Sequence, residues 1–142
     1  MSSEPLMSLQ RTGLLDVVPA SPQLRVRMLQ VARTRLTDAL RTENGLETRF
    51  DCAYNTIRTV ADAALLAQGH PPFTSKPGHH QTTLQCLAQT LDVDQAEIRV
   101  LDGLRKQRNL SDYDCETVSQ ALLSECVEQA QRLLALAQAR WP

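Results

Sequence analysis

The chain contains no apolar run of about 18 residues, the length a helix needs to cross a membrane core, so no spanning segment is expected. Its first twenty residues lack the basic-then-apolar layout of a secretory signal, and a cytoplasmic location is the expectation. No two of the four cysteines (Cys52, Cys86, Cys115, Cys126) form a CxxC pair. That removes the usual zinc spacing and leaves them as small, mostly reduced residues, three of them inside helical patterns. No metal or cofactor is implied. Lysine is scarce, since 13 of the 15 cationic side chains are arginine, whose planar fork suits phosphate or carboxylate. A formal net charge of −1 nevertheless excludes a protein that coats nucleic acid through bulk positive charge. No segment alternates apolar and polar residues as a half-buried strand does, and there is no internal repeat or low-complexity tract.

What is present is helical period. Residues 1–21, with Pro5, Gly13 and Pro19, read as an N-terminal arm carrying a short apolar anchor at Leu14-Leu15. Residues 22–142 read as a single domain. Ser21-Pro22 supplies a cap and a proline at the first helical position, and Leu24, Met28, Val31, Ala32, Leu36, Ala39 and Leu40 mark one face of a helix ending near Thr42. After Asn44-Gly45 the clearest period runs through Leu46, Phe50, Ala53, Ile57, Val60, Ala61 and Ala64, and Gly69 stops it. Residues 69–79 are a loop. A shorter helix from His79 turns Leu84, Leu87, Ala88 and Leu91 inward, and Asp92 or Asp94 caps a fourth with Ile98, Leu101 and Leu104. A last helix after Asp114 carries Val118, Ala121, Leu122, Ala130, Leu133 and Ala137. Short connections make neighbours antiparallel, so the fold class predicted is an all-α antiparallel bundle of about five helices.

The fourth helix departs from simple amphipathicity. At about 100° per residue, Arg108 falls within the inward stripe of Ile98, Leu101 and Leu104, with Arg105 and Asp112 at its edge. An interior charge needs a partner, so either Arg108 pairs with a carboxylate such as Asp112 at i, i+4, or the stripe opens there into a cleft. Asp51, Asn55, Arg58 and Asp62 form a polar strip along the second helix, a solvated face or a dimer contact. That strip is expected to supply Arg108's carboxylate only from a second chain. Lys76, His79 and His80, with Thr82 and Thr83 near a helix start, form a second phosphate candidate beside the plainer reading of a solvated turn. Trp141 is left open, an apolar lid folded back on the bundle being one placement.

The stretch Arg105-Lys106-Gln107-Arg108-Asn109-Leu110-Ser111-Asp112-Tyr113 resembles the signature helix of the HEPN superfamily, and Arg49-Phe50-Asp51-Cys52-Ala53-Tyr54-Asn55 resembles the helix packed beside it. The likeness in architecture spans roughly residues 22–140, on a short motif. It implies that Arg108 and Asn109 match the Arg-polar pair that contacts the scissile phosphate in family ribonucleases. Tyr113 stands where those enzymes have histidine, and after six intervening residues from Arg105 comes Asp112. The chain has no histidine after His80, so the group that would move a proton at a 2′-hydroxyl is not supplied, and no catalytic residue is assigned. The resemblance further implies a homodimer with a composite cleft. There Arg105 and Arg108 bind RNA or nucleotide phosphate, and Asn109, Asp112 and Tyr113 position it. The setting implied is a bacterial stress or defence module of toxin–antitoxin type, the chain acting as an atypical or inactive ribonuclease. The alternative is a non-catalytic helical adaptor that binds another protein, such as an antitoxin-like partner.

Overall fold

A computed structural model of the chain describes Leu6 and residues 22–69, 79–115 and 117–142, the side chains of His79, Tyr113 and Asp114 excepted. Six helical segments follow in order among the described residues: α1 (Pro22–Leu40), α2 (Leu46–Ala67), α3 (His79–Gln85), α4 (Leu87–Thr90), α5 (Gln95–Asp114) and α6 (Gln120–Arg140). No strand occurs among the described residues. The third expected helix is α3 and α4 in succession, separated by a turn at Cys86, whose carbonyl accepts from the Thr90 amide and hydroxyl. None of the described helices is long and apolar enough to cross a membrane.

α2 is the hub, in contact with every other helix. Its buried residues include the expected Phe50, Ala53, Ile57, Val60, Ala61 and Ala64, joined by Tyr54, Thr56 and Leu65. Alanines at 32, 39, 53, 61, 63 and 64 keep the backbones of α1 and α2 close. The buried Thr56 hydroxyl lies 3.1 Å from the carbonyls of both Ala32 and Cys52, and so ties the two helices together. The turn between them satisfies the end of α1, because Asn44 Nδ2 donates to the Asp38 carbonyl at 3.1 Å and Arg49 Nε to that of Ala39 at 2.8 Å. One core cluster draws residues from all six helices, while Leu6 of the arm is buried beside Leu65 and Cys86. The proposed anchor at Leu14-Leu15 lies outside the described residues.

Two faces differ from expectation. α1 buries Leu29, Ala32, Leu36 and Ala39 and leaves Leu24, Val31 and Leu40 exposed. The set read from sequence mixed two faces, since Val31 sits some 140° around the helix from Leu36. α6 starts at Gln120, later than read, and buries Leu123 and Cys126, leaving Ala121 exposed. Its cap is Ser119, whose hydroxyl accepts from the Leu122 amide at 3.0 Å. Val118 precedes the cap and Leu123 follows it in the first turn, both in the core, which is the pattern of a hydrophobic staple. Trp141 folds back against the core, with the Arg25 and Arg140 guanidinium carbons each 5.8 Å from its ring centre.

Candidate functional site

α5 is set in place by its own sequence. Asp94 caps it, accepting from the Glu97 amide at 2.9 Å, and Ile98, Leu101 and Leu104 are buried. The helix runs on to Asp114 and ends on Cys115, held left-handed at φ 56°. Arg108 therefore continues the buried stripe one turn past Leu104 and faces α2. There Tyr54 occupies the buried face of α2, with Asp51, Asn55 and Arg58 alongside it.

These residues make a polar seam between two helices of one chain. Arg108 Nε donates to Asp51 Oδ1 at 3.0 Å and lies 3.6 Å from Asp112 Oδ2, and its guanidinium carbon sits 5.3 Å from the Tyr54 ring centre. Arg105 Nε donates to Asp102 Oδ1 at 2.8 Å, and Lys106 Nζ reaches the other oxygen of that carboxylate at 3.4 Å. Arg58 donates through Nη2 to Asn55 Oδ1 at 3.0 Å. The Tyr54 hydroxyl and Arg58 Nε are buried with no hydrogen-bond partner among the described residues.

The expected pairing of Arg108 with Asp112 is present but is the longer of two. Asp51 is the closer partner and comes from the same chain, which corrects the expectation that the α2 strip could reach Arg108 only from a second protomer. The reason is topological: α2 and α5 pack directly, so strips 57 positions apart in sequence meet.

Exposure separates the two sides of the Arg108 pairs. The Arg108 side chain is 21% exposed, while those of Asp51 and Asp112 are 46% and 42% exposed; Arg105 and its partner Asp102 are alike, at 17% and 23%. The cations are fixed by packing and the outer carboxylates are half in water. Pairs of that kind contribute about 0–1 kcal/mol, so exchanging Asp51 for another anion costs little. Burial pushes the Tyr54 phenol up to about 12, against the opposing pull of Arg108, Arg105 and Arg58. It therefore keeps its proton near neutral pH. Burial raises Asp102 as well, but the hydrogen bond and charge of Arg105, with those of Lys106, outweigh it and hold the carboxyl below its ordinary value. Arg105, Lys106 and Arg108 are thus each paired with a carboxylate, and the phenol beside them stays protonated at neutral pH.

The other residues read from sequence are less tightly placed. Asn109 is half-buried beside Arg108 on α5, and Tyr113 lies in the helix's last turn, its side chain outside the described set. His79 opens α3 as read and His80 is half-buried, whereas Lys76 lies outside the described residues. Asp102 went unremarked in sequence, although its spacing three before Arg105 and four before Lys106 is the signal that marks it. An open groove of about 450 Å³ flanks the seam, lined by Glu47, Thr48, Asp51, Ser111, Asp112 and Cys115. The four cysteines are free thiols, Cys86 and Cys126 buried and Cys115 exposed. Set against known proteins, the chain matches no family model, no curated protein and no solved structure.

Proposed function

We propose that the chain is a HEPN-like bundle whose α5 recognises the phosphate of RNA or a nucleotide, binding it without cleaving it. The observation that carries this reading is the asymmetry at Arg108: a packed, half-buried guanidinium against the solvated carboxylates of Asp51 and Asp112, which can leave. A phosphate offers the arginine fork two oxygens and a stronger charge-assisted contact than a solvated aspartate. The absence of a histidine after His80, with Tyr113 where the resemblance expects one, supports binding over cleavage, because general-base chemistry needs a group that titrates close to the working pH. On the HEPN resemblance the unit is a homodimer of a stress or defence module, with α5 of each protomer facing the same cleft.

The test is fluorescence anisotropy with labelled single-stranded RNA, comparing the native chain with Arg108→Met. Loss of one charge-assisted contact is worth roughly 1.5–3 kcal/mol, so affinity should fall about tenfold to a hundredfold. Unchanged affinity in the variant would rule out the α5 site.

A second reading is favoured by the groove beside Arg108, whose rim carries Glu47, Asp51 and Asp112. Those carboxylates suit a basic segment of a protein partner, the adaptor role. Native protein that binds no RNA or nucleotide, yet retains a basic peptide in a manner sensitive to Glu47→Gln, would favour it.

A further inference from the structure

Gly103 stands in the middle of α5, where glycine costs roughly 0.5–1 kcal/mol relative to alanine. Nothing among the described residues explains that cost. Its φ is not in the left-handed region, and a Cβ built there meets no atom within 4 Å. Packing against the described residues therefore tolerates a side chain at this position.

Gly103 lines a groove of about 580 Å³ between α3 and α5, a volume in the range of small-ligand sites. Leu84 and Ile98, both buried, form its apolar floor. The amides of Gln81, Gln85 and Gln95 surround it, and Arg99 and Lys106 stand one turn to either side of Gly103. Its single acid among the described residues, Asp102, is already held by Arg105 and Lys106. Through Asp102 this groove adjoins the Arg105 end of the seam.

We propose that this groove is a nucleotide subsite: the apolar floor takes a base, the glutamine amides its polar edge, Arg99 and Lys106 a phosphate, and Gly103 the close approach of the sugar-phosphate. Side-chain amides pair with base edges through matched donors and acceptors, and an apolar surface accepts a base face of any identity. The proposal rests on the phosphate reading of α5 and extends it from a point contact to a site with room for a whole nucleotide.

Two ligands distinguish the sources of that nucleotide, a labelled RNA hexamer and free AMP. Each is titrated against native protein, Gly103→Leu, the double variant Arg99→Gln/Lys106→Gln, and Arg108→Met, with a melting curve for each. Leucine is a strong helix former placed in open space, so Gly103→Leu should melt at or above the native temperature while affinity falls at least about tenfold. The double variant should weaken binding to a similar degree, and it carries the test if leucine disturbs the fold. Binding of AMP alone marks a free nucleotide as ligand, and binding only of the hexamer marks a strand. Full affinity in both groove variants alongside loss in Arg108→Met would overturn the subsite and leave the seam reading intact. Loss in the groove variants with Arg108→Met unaffected would uphold the subsite and overturn the seam. Native protein that binds neither ligand would overturn both.

Discussion

At Arg108 the guanidinium is held more firmly than the carboxylates around it, and that sets what a substitution there does. Methionine keeps the volume and helix propensity, and the Asp51 it strands is half-exposed and rehydrates. Arg108→Met should therefore change folding free energy by no more than about 1 kcal/mol in urea denaturation. A loss of several kcal/mol would mean that the charge is a buried structural pair. Tyr54 makes the complementary case. Its hydroxyl is buried without a partner among the described residues, so Tyr54→Phe removes an unsatisfied donor and should be neutral or stabilising by up to about 1 kcal/mol. Destabilisation by more than that amount would reveal a hydrogen bond at the phenol. At this scale the sequence disclosed that Arg108 interrupts an apolar stripe, because periodicity on one helix suffices for that. It could not disclose Asp51 as the partner, because which strip faces which is decided by how α2 and α5 pack.

Helices were legible where a local signal was unambiguous. The α2 stripe repeats over six turns, and Gly69 takes the positive φ, 77°, that ends it. Asp94 was one of two candidate caps. The structure uses it for α5 and gives Asp92 a left-handed turn at φ 56° instead. The phase of α1 was not legible, since Leu24, Val31 and Leu40 are as apolar as the residues it buries and only the position of α2 chooses between them. The start of α6 was misplaced because Val118 is buried before the helix begins. The caps carry a direct consequence: Asp94→Ala and Ser119→Ala each remove a side-chain acceptor for a helix amide and should cost about 1 kcal/mol. Thermal melts lowered by a few degrees would agree, and unshifted melts in both would show that the caps are idle.

For the whole molecule, the buried neutral acids link stability to alkaline pH. Burial lifts Cys126 from 9.0 to about 12, Cys86 from 9.0 to about 11, and Tyr54 from 10.0 to about 12. Each folded value lies above the unfolded one, so the folded chain binds more protons between them and stability falls as pH rises. The contribution is complete below about pH 9 and is lost progressively up to the folded values. Urea midpoints should therefore hold through neutral pH and decline from about pH 9 to 11, less steeply in Cys126→Ala. Midpoints level to pH 11 would contradict the burial of these groups.

The central claim is that Arg108, fixed on α5, exchanges solvated aspartates for phosphate, and the arginine Nε–Hε resonances report on it directly. In a ¹H–¹⁵N spectrum of the native chain titrated with a short single-stranded RNA, the signals of Arg105 and Arg108 should move together and saturate. Those of Arg27 and Arg33, exposed on the far helix α1, should stay in place. Movement confined to the α1 arginines, or none at Arg105 and Arg108 at saturating RNA, would contradict the account.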